Sequence, residues 1–382
     1  MNNNSVSALT AGEVLSAPLA HSVADLNFAS DQLGEGFGVH YVEMGEDPDG
    51  EAPVRCALVQ YRPGSSEVDF YSRPALLFVH GMTDYFFQDH VARFFHEEGF
   101  AVYGIDLRKC GRAWREGQSW HHVTSQALYD EEITIAVSLL ASAHGKVVPV
   151  GHSTGGLDVT MWATRLFDAA TRYPESGSAV LHSHVPALVC NSPWYGLQFD
   201  TPTRFIINRV FPIIGKIFPQ MPLPGGINPS YGYSLHSDYA GEWNYDLTLK
   251  PILPRKKYVP WLVSVAQEIR KLRTGHHSTG VPTLILTSDG HHFARELSEQ
   301  TYTNDPILMP SQMWEVATRV SPHAHIEVIP DATHDVFLSA LPVRSRALRA
   351  TAHWLHDTTR NTPGSMPHSV PRPTPEVTPN DR

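Results

Sequence analysis

The chain has 382 residues and a formal charge of −10. It is long enough for one large α/β domain with an insertion, or for two domains. The negative balance argues against a general nucleic-acid partner and against electrostatic attachment to an anionic membrane. Three widely spaced cysteines, Cys56, Cys110 and Cys190, form no disulfide framework and fit a reducing compartment. No apolar run approaches the roughly 20 residues that cross a bilayer, so no transmembrane segment is expected. The start Met-Asn-Asn-Asn carries neither a basic region nor an apolar stretch behind it, and a cytoplasmic location is expected.

Residues 1–30 are polar with scattered small side chains and read as a flexible extension. Val54–Tyr61 and Ala75–Val79 read as strands, the second ending at His80-Gly81. A helix is expected over 88–98 and a third strand over Ala101–Asp106. Residues 125–143 repeat apolar side chains at helical spacing, at Ala127, Leu128, Ile133, Ile135, Ala136, Leu139 and Leu140. A strand over 147–150 then leads into Gly151-His152-Ser153-Thr154-Gly155, with a helix expected over 155–170 and a strand over 185–190. Strand character returns at 283–287 and 325–329, and a last helix is expected over 343–356. Short β-branched runs separated by helices imply an α/β fold whose mostly parallel sheet is covered on both faces.

The rhythm breaks between residues 195 and 280, where Phe205, Ile206, Ile207, Val210, Phe211, Ile213, Ile214, Ile217 and Phe218 precede a Pro/Gly-rich stretch. An insertion at the carboxyl edge of such a sheet sits over the place where open α/β folds hold ligands. It is expected to be a helical cap. The core would then run over 31–194 and 281–360. Residues 361–382 carry six prolines among polar residues and read as a disordered tail.

Gly-x-Ser-x-Gly on a strand-to-helix turn lifts a serine hydroxyl above the sheet, where a base can reach it. A serine hydroxyl is a poor nucleophile until a base takes its proton, and that base needs an orienting acid. His334, behind the last expected strand, is the candidate base for Ser153. For the acid, Asp289 comes soonest after its strand, Asp305 stands before an apolar run leading into a helix, and Asp335 is a further possibility. Oxyanion donors are expected in the backbone amides of Thr154 and Met82, with Gly81 allowing a close approach and His80 supporting the loop. Trp194, Phe86, Phe205 and Phe211 are candidate pocket walls. The adjacent histidine pairs 121–122, 276–277 and 291–292 offer no two-ligand face and no His-Glu-x-x-His pattern occurs, so neither a metal nor a cofactor is expected.

These residues resemble the capped α/β-hydrolases of the serine aminopeptidase, monoglyceride lipase and lysophospholipase group. The likeness rests on His80-Gly81, Asp106-Leu107-Arg108-Lys109-Cys110-Gly111-Arg112, the Ser153 pentapeptide, Asp305 with its apolar run, and His334-Asp335. Where that group usually reads Arg-Gly-His-Gly, this chain reads Arg108-Lys109-Cys110-Gly111. Residues 1–50 and 361–382 lie outside the likeness. It implies an acid about 30 residues before the histidine, which favours Asp305, and a small apolar ester as the substrate partner. The expected reaction is ester hydrolysis through an acyl-enzyme, for an apolar acyl or aromatic group. Amide or carbon–carbon hydrolysis by the same triad, or a non-catalytic ligand-binding protein of this fold, are the rivals. Nothing in the sequence addresses the oligomeric state.

Overall fold

A computed structural model describes residues 9–64, 69–223, 228–253, 255–275 and 278–360. Nine strands form one sheet: β1 (Ala29–Ser30), β2 (Phe37–Gly45), β3 (Val54–Tyr61), β4 (Ala75–Val79), β5 (Ala101–Asp106), β6 (Val147–His152), β7 (Leu188–Asn191), β8 (Thr283–Ser288) and β9 (Ala324–Ile329). Their spatial order is β1-β2-β3-β5-β4-β6-β7-β8-β9. From β5 to β9 every neighbouring pair is parallel, whereas β1, β2 and β3 join antiparallel.

Alternate residues of each parallel strand face opposite sides. Leu77, Val79, Ile105, Val147, Leu188 and Ile285 enter one core; Leu76, Val102, Val148, Val150, Val189 and Leu286 enter the other. Helices α1 (Asp89–Glu97) and α6 (Leu341–Arg360) cover the second core. On the first side lie α2 (Asp130–His144), α3 (Thr154–Arg172) and α5 (Val259–Thr274). Two-sided cover explains why these strands read as unbroken apolar runs instead of alternating ones.

Several boundaries differ from the sequence reading. Residues 9–30 are not a loose extension. Ala11–Ser16 is a short helix with Thr10 and Glu13 in a capping box, and Ala11, Val14 and Val23 are buried. β2 escaped notice because its burial alternates imperfectly along Phe37–Gly45. The helix expected over 125–143 begins as a tight turn, Gln126–Tyr129, before α2.

Between β7 and β8 lie Thr201–Phe205, Phe211–Ile217, α4 (Pro229–Leu235) and α5. A π-turn, Ile206–Val210, joins the first two. α5 is buried on most of its length against α3. It is the crossover helix that a parallel β7–β8 connection requires, so the inserted part is narrower than 195–280. The expected disordered tail, residues 361–382, lies outside the described residues.

Candidate active site

The loops behind β4, β6, β7, β8 and β9 converge at the carboxyl edge of the sheet. Ser153 follows β6 with φ 54° and ψ −116°, a left-handed conformation that non-glycine residues rarely adopt. The bend is possible only because its neighbours lack side chains. A Cβ on Gly151 would collide with the backbone of Gly155, and one on Gly155 with the carbonyls of Val79 and His80. At Gly81 a Cβ would stand 3.1 Å from the Ser153 Cβ. All three glycines serve this one turn.

Ser153 Oγ lies 2.9 Å from His334 Nε2, and His334 Nδ1 lies 2.8 Å from Asp305 Oδ2. The acid is buried and held from two directions. Its Oδ1 accepts the amides of Ile307 and Leu308, each at 2.8 Å. Its backbone pairs with Gly290 and His292 at 2.9 Å on each side. With Asp305 accepting at Nδ1, the imidazole presents an unprotonated Nε2 to the serine hydroxyl.

Of the other two candidate acids, neither bonds His334. Asp289 is exposed, and its Oδ1 accepts the Asp331 amide at 3.2 Å. Asp335 is buried and faces away from the imidazole, accepting from Asn191 Nδ2 at 2.6 Å and Gln88 Nε2 at 3.2 Å. Burial pushes its carboxyl up, but the His152 ring, the Asn191 amide and Lys250 outweigh this and hold it below the usual range.

The amides of Met82 and Thr154 find no acceptor among the described residues. Thr154 is the first residue of α3, so its N–H points out of the helix where the helix dipole is positive. The Met82 loop is fastened from below. His80 Nε2 accepts the Leu107 amide at 3.0 Å, and its Nδ1–H then donates to Gly81 O at 2.7 Å. Phe86 N donates to Asp106 Oδ1 at 2.9 Å, and Arg112 ties Asp106 Oδ2, at 2.8 Å, to Asp31. Lys109, standing where the resembled group has glycine, adopts φ 60°, with its amine 2.6 Å from Asp47.

The inserted segment closes over this arrangement. Lys250 Nζ sits 2.6 Å from Asp84, and the Asp246 amide donates to Tyr85 Oη at 2.8 Å. Tyr231 on α4 packs edge-on to His334, with ring centroids 5.6 Å apart, and its hydroxyl accepts the Asp335 amide at 3.2 Å. Tyr231 was not apparent in the sequence, where nothing distinguishes it from its neighbours Tyr233 and Tyr239.

The candidate walls separate. Trp194 is buried beside the serine, its amide donating to Ser153 O at 3.0 Å and its ring 6.0 Å from Trp261. Phe211 is half-buried against the same core. Phe86 faces elsewhere. It covers Gly104, where any side chain would strike its ring, and lines a small cavity behind His152 with Phe78, Asn191 and Asp335. Phe205 is 62% exposed, and the π-turn that follows buries Ile207 instead. Among the described residues, no group of three or more His, Cys, Asp or Glu side chains could hold a metal ion. No helix among them is long and apolar enough to cross a membrane.

Known structures share this architecture. The monoacylglycerol lipase of Paleococcus ferrophilus is similar over 84% of this chain and 99% of its own, with a TM-score of 0.56 at 18% identity. A soluble variant of the monoglyceride lipase of Saccharomyces cerevisiae, in complex with a substrate analog, is similar over 90% of this chain and 98% of its own. Its TM-score is 0.56 at 16% identity. No curated protein matches the sequence. At such identities the likeness concerns the fold. The alpha/beta hydrolase family model matches residues 76–347, and the chain belongs to that family.

Proposed function

We propose that this protein is a serine hydrolase that cleaves carboxylic esters carrying an apolar acyl or aromatic group, through an acyl-enzyme. The observation that carries the proposal is the unbroken relay from Ser153 Oγ to His334 Nε2 at 2.9 Å and from Nδ1 to Asp305 at 2.8 Å. His334 takes the serine proton as Oγ attacks the ester carbonyl, and Asp305 stabilises the imidazolium that forms. The Met82 and Thr154 amides hold the negative charge that develops on the carbonyl oxygen. His334 then protonates the departing alcohol. Water, deprotonated by the same imidazole, releases the acid and restores Ser153.

Trp194, whose amide bonds Ser153 O, and Trp261, beside Thr154, bring apolar surface next to the serine, which favours an uncharged acyl group. Monoacylglycerols are natural first probes, since two proteins of the same fold are named for them. Three buried, unpaired cysteines suit the cytoplasm, which is part of the proposal. A fluorophosphonate should label wild-type protein at Ser153 and leave Ser153→Ala unlabelled. Folded wild-type protein that takes no label would sink the reading.

A further inference from the structure

The outer face of the inserted segment carries apolar side chains that no described residue covers. Ile206, Val210, Ile213 and Ile217 are 38% to 63% exposed. Their spacing of four, three and four residues keeps them along one side of the helical stretch. Phe218 and Met221 extend the patch beyond its end and are also exposed. The segment packs on the rest of the protein through a different side. Ile207 is buried and Phe211 half-buried, and a Cβ on Gly215 would stand 3.4 Å from Pro260 and 3.5 Å from Val259, at the start of α5. Apolar side chains exposed singly are ordinary, but a connected patch marks a surface that binds something.

Charge indicates what that is. Residues 201–237 and 247–267 hold seven Lys and Arg and no Asp or Glu, in a chain whose formal charge is −10. Arg209 and Lys216, seven residues apart, stand on one side of the helical stretch beside the apolar stripe, and both are exposed. Leu223 N donates to Lys257 O at 2.8 Å and Val259 N to Met221 O at 2.9 Å. That pairing brings Arg255-Lys256-Lys257 next to the same patch. Arg204, Arg209, Lys216, Lys256 and Lys257 form no ion pair among the described residues. Burial lowers Lys257 to about 8, which leaves its amine mostly charged at neutral pH. The negative balance of the whole chain, which speaks against an anionic membrane, is reversed on this face.

We propose that the outer face of the cap docks on an anionic phospholipid bilayer. Ile213, Ile217 and Phe218 enter the boundary between headgroups and acyl chains, while Arg209, Lys216 and Lys256 meet lipid phosphates. Helices that lie in a membrane interface have this composition, with bulky apolar side chains on one face and Lys or Arg beside them. A second copy of the chain suits the patch less well. A two-fold contact would bring the cations of both copies together, and the segment supplies no acid to pair with them.

Docking does not depend on Ser153 being a nucleophile, and sedimentation with vesicles tests it without any ester. The full chain would be spun with vesicles of phosphatidylcholine alone, and with vesicles of two parts phosphatidylcholine to one part phosphatidylglycerol, at low salt. Wild-type protein should partition onto the anionic vesicles about tenfold or more better than onto the neutral ones, since each Lys or Arg near such a surface adds about fivefold. Salt should erode that preference. Arg209→Gln/Lys216→Gln should reduce the preference about tenfold. Ile213→Ser/Ile217→Ser should weaken binding to both kinds of vesicle by about tenfold or more. All four side chains are exposed, so both double variants should keep the wild-type melting temperature.

Wild-type protein that stays in solution beside anionic vesicles overturns the proposal, as does binding that neither double variant weakens. A dimer in the absence of lipid that Ile213→Ser/Ile217→Ser converts to a monomer assigns the stripe to a second copy and also overturns it. Should a variant melt early, the preference of wild-type protein for anionic vesicles and its loss in salt still decide. Failure of Ser153 to take a fluorophosphonate would overturn the hydrolase reading and leave the vesicle result standing.

Discussion

Asp305 and Asp289 both follow β8, yet their surroundings prepare them for different work. Asp305 is buried, receives two backbone amides on one oxygen and offers the other to His334. Asp289 is exposed and secures the Asp331 amide, helping a left-handed turn with φ 62°. Asp305→Asn should therefore lower kcat by about 10³–10⁴, because an amide no longer fixes the imidazole tautomer. Asp289→Asn should stay within about threefold of wild type. Steady-state kinetics on one ester would check both, and a severe loss at Asp289 with little at Asp305 would refute the assignment. The serine and histidine were legible from local pattern alone. The acid was not, because the loop between Asp289 and Asp305 hides which carboxylate turns back to the imidazole.

Among the elements, those covered on both sides were the easiest to foresee, since β4 to β8 announce themselves as apolar runs between turns. β2 pairs with its sequence neighbours β1 and β3 but lacks a clean alternation, and the Ala11–Ser16 helix depends on α2, far away in sequence, so no local period marks either. α2 shows what such distant contacts do to a single side chain at its end. His144 Nδ1–H donates to Arg73 O at 2.9 Å, and Nε2 accepts the Tyr103 hydroxyl at 2.9 Å, so the neutral ring is fully satisfied. A cation at a helix C-terminus is usually welcome. Here burial prevails and lowers His144 to about 4. The unfolded chain binds this proton near pH 6.5 and the folded one does not, so the contribution is fully present above about 6.5 and is lost as pH falls toward 4. Each pH unit in that window costs about 1.4 kcal/mol for such a histidine. Urea unfolding at pH 7.5, 6 and 5 should show declining stability, and His144→Gln, which cannot titrate, should flatten the decline by about 2 kcal/mol at pH 5. Parallel pH profiles for the two proteins would contradict this.

On the scale of the whole molecule, chemistry and stability occupy different ends of the chain. The carboxyl edge of the sheet carries every residue of the proposed mechanism, while residues 9–26 lie along α2. There Val14 and Val23 are buried, Leu19 N donates to Ser138 Oγ at 2.8 Å, and Ser142 Oγ donates to Leu19 O at 3.1 Å. None of these contacts involves Ser153, His334, Asp305 or the loop of Met82. Removing residues 1–26 leaves Asp31 in place to hold Arg112, and so leaves the support of the Met82 loop intact. It uncovers apolar side chains on α2 and takes away the partner of a buried Ser138 hydroxyl. Two valines alone represent about 3–4 kcal/mol of burial, enough to lower Tm by several degrees. The truncated protein should therefore melt earlier yet hydrolyse a p-nitrophenyl ester at 25 °C within about threefold of the full chain. Thermal melts beside initial rates would test the separation. An unchanged Tm would mean that this segment contributes no stability. A collapse in rate at a temperature where the truncated protein is still folded would mean that the N-terminal segment reaches the site through α2.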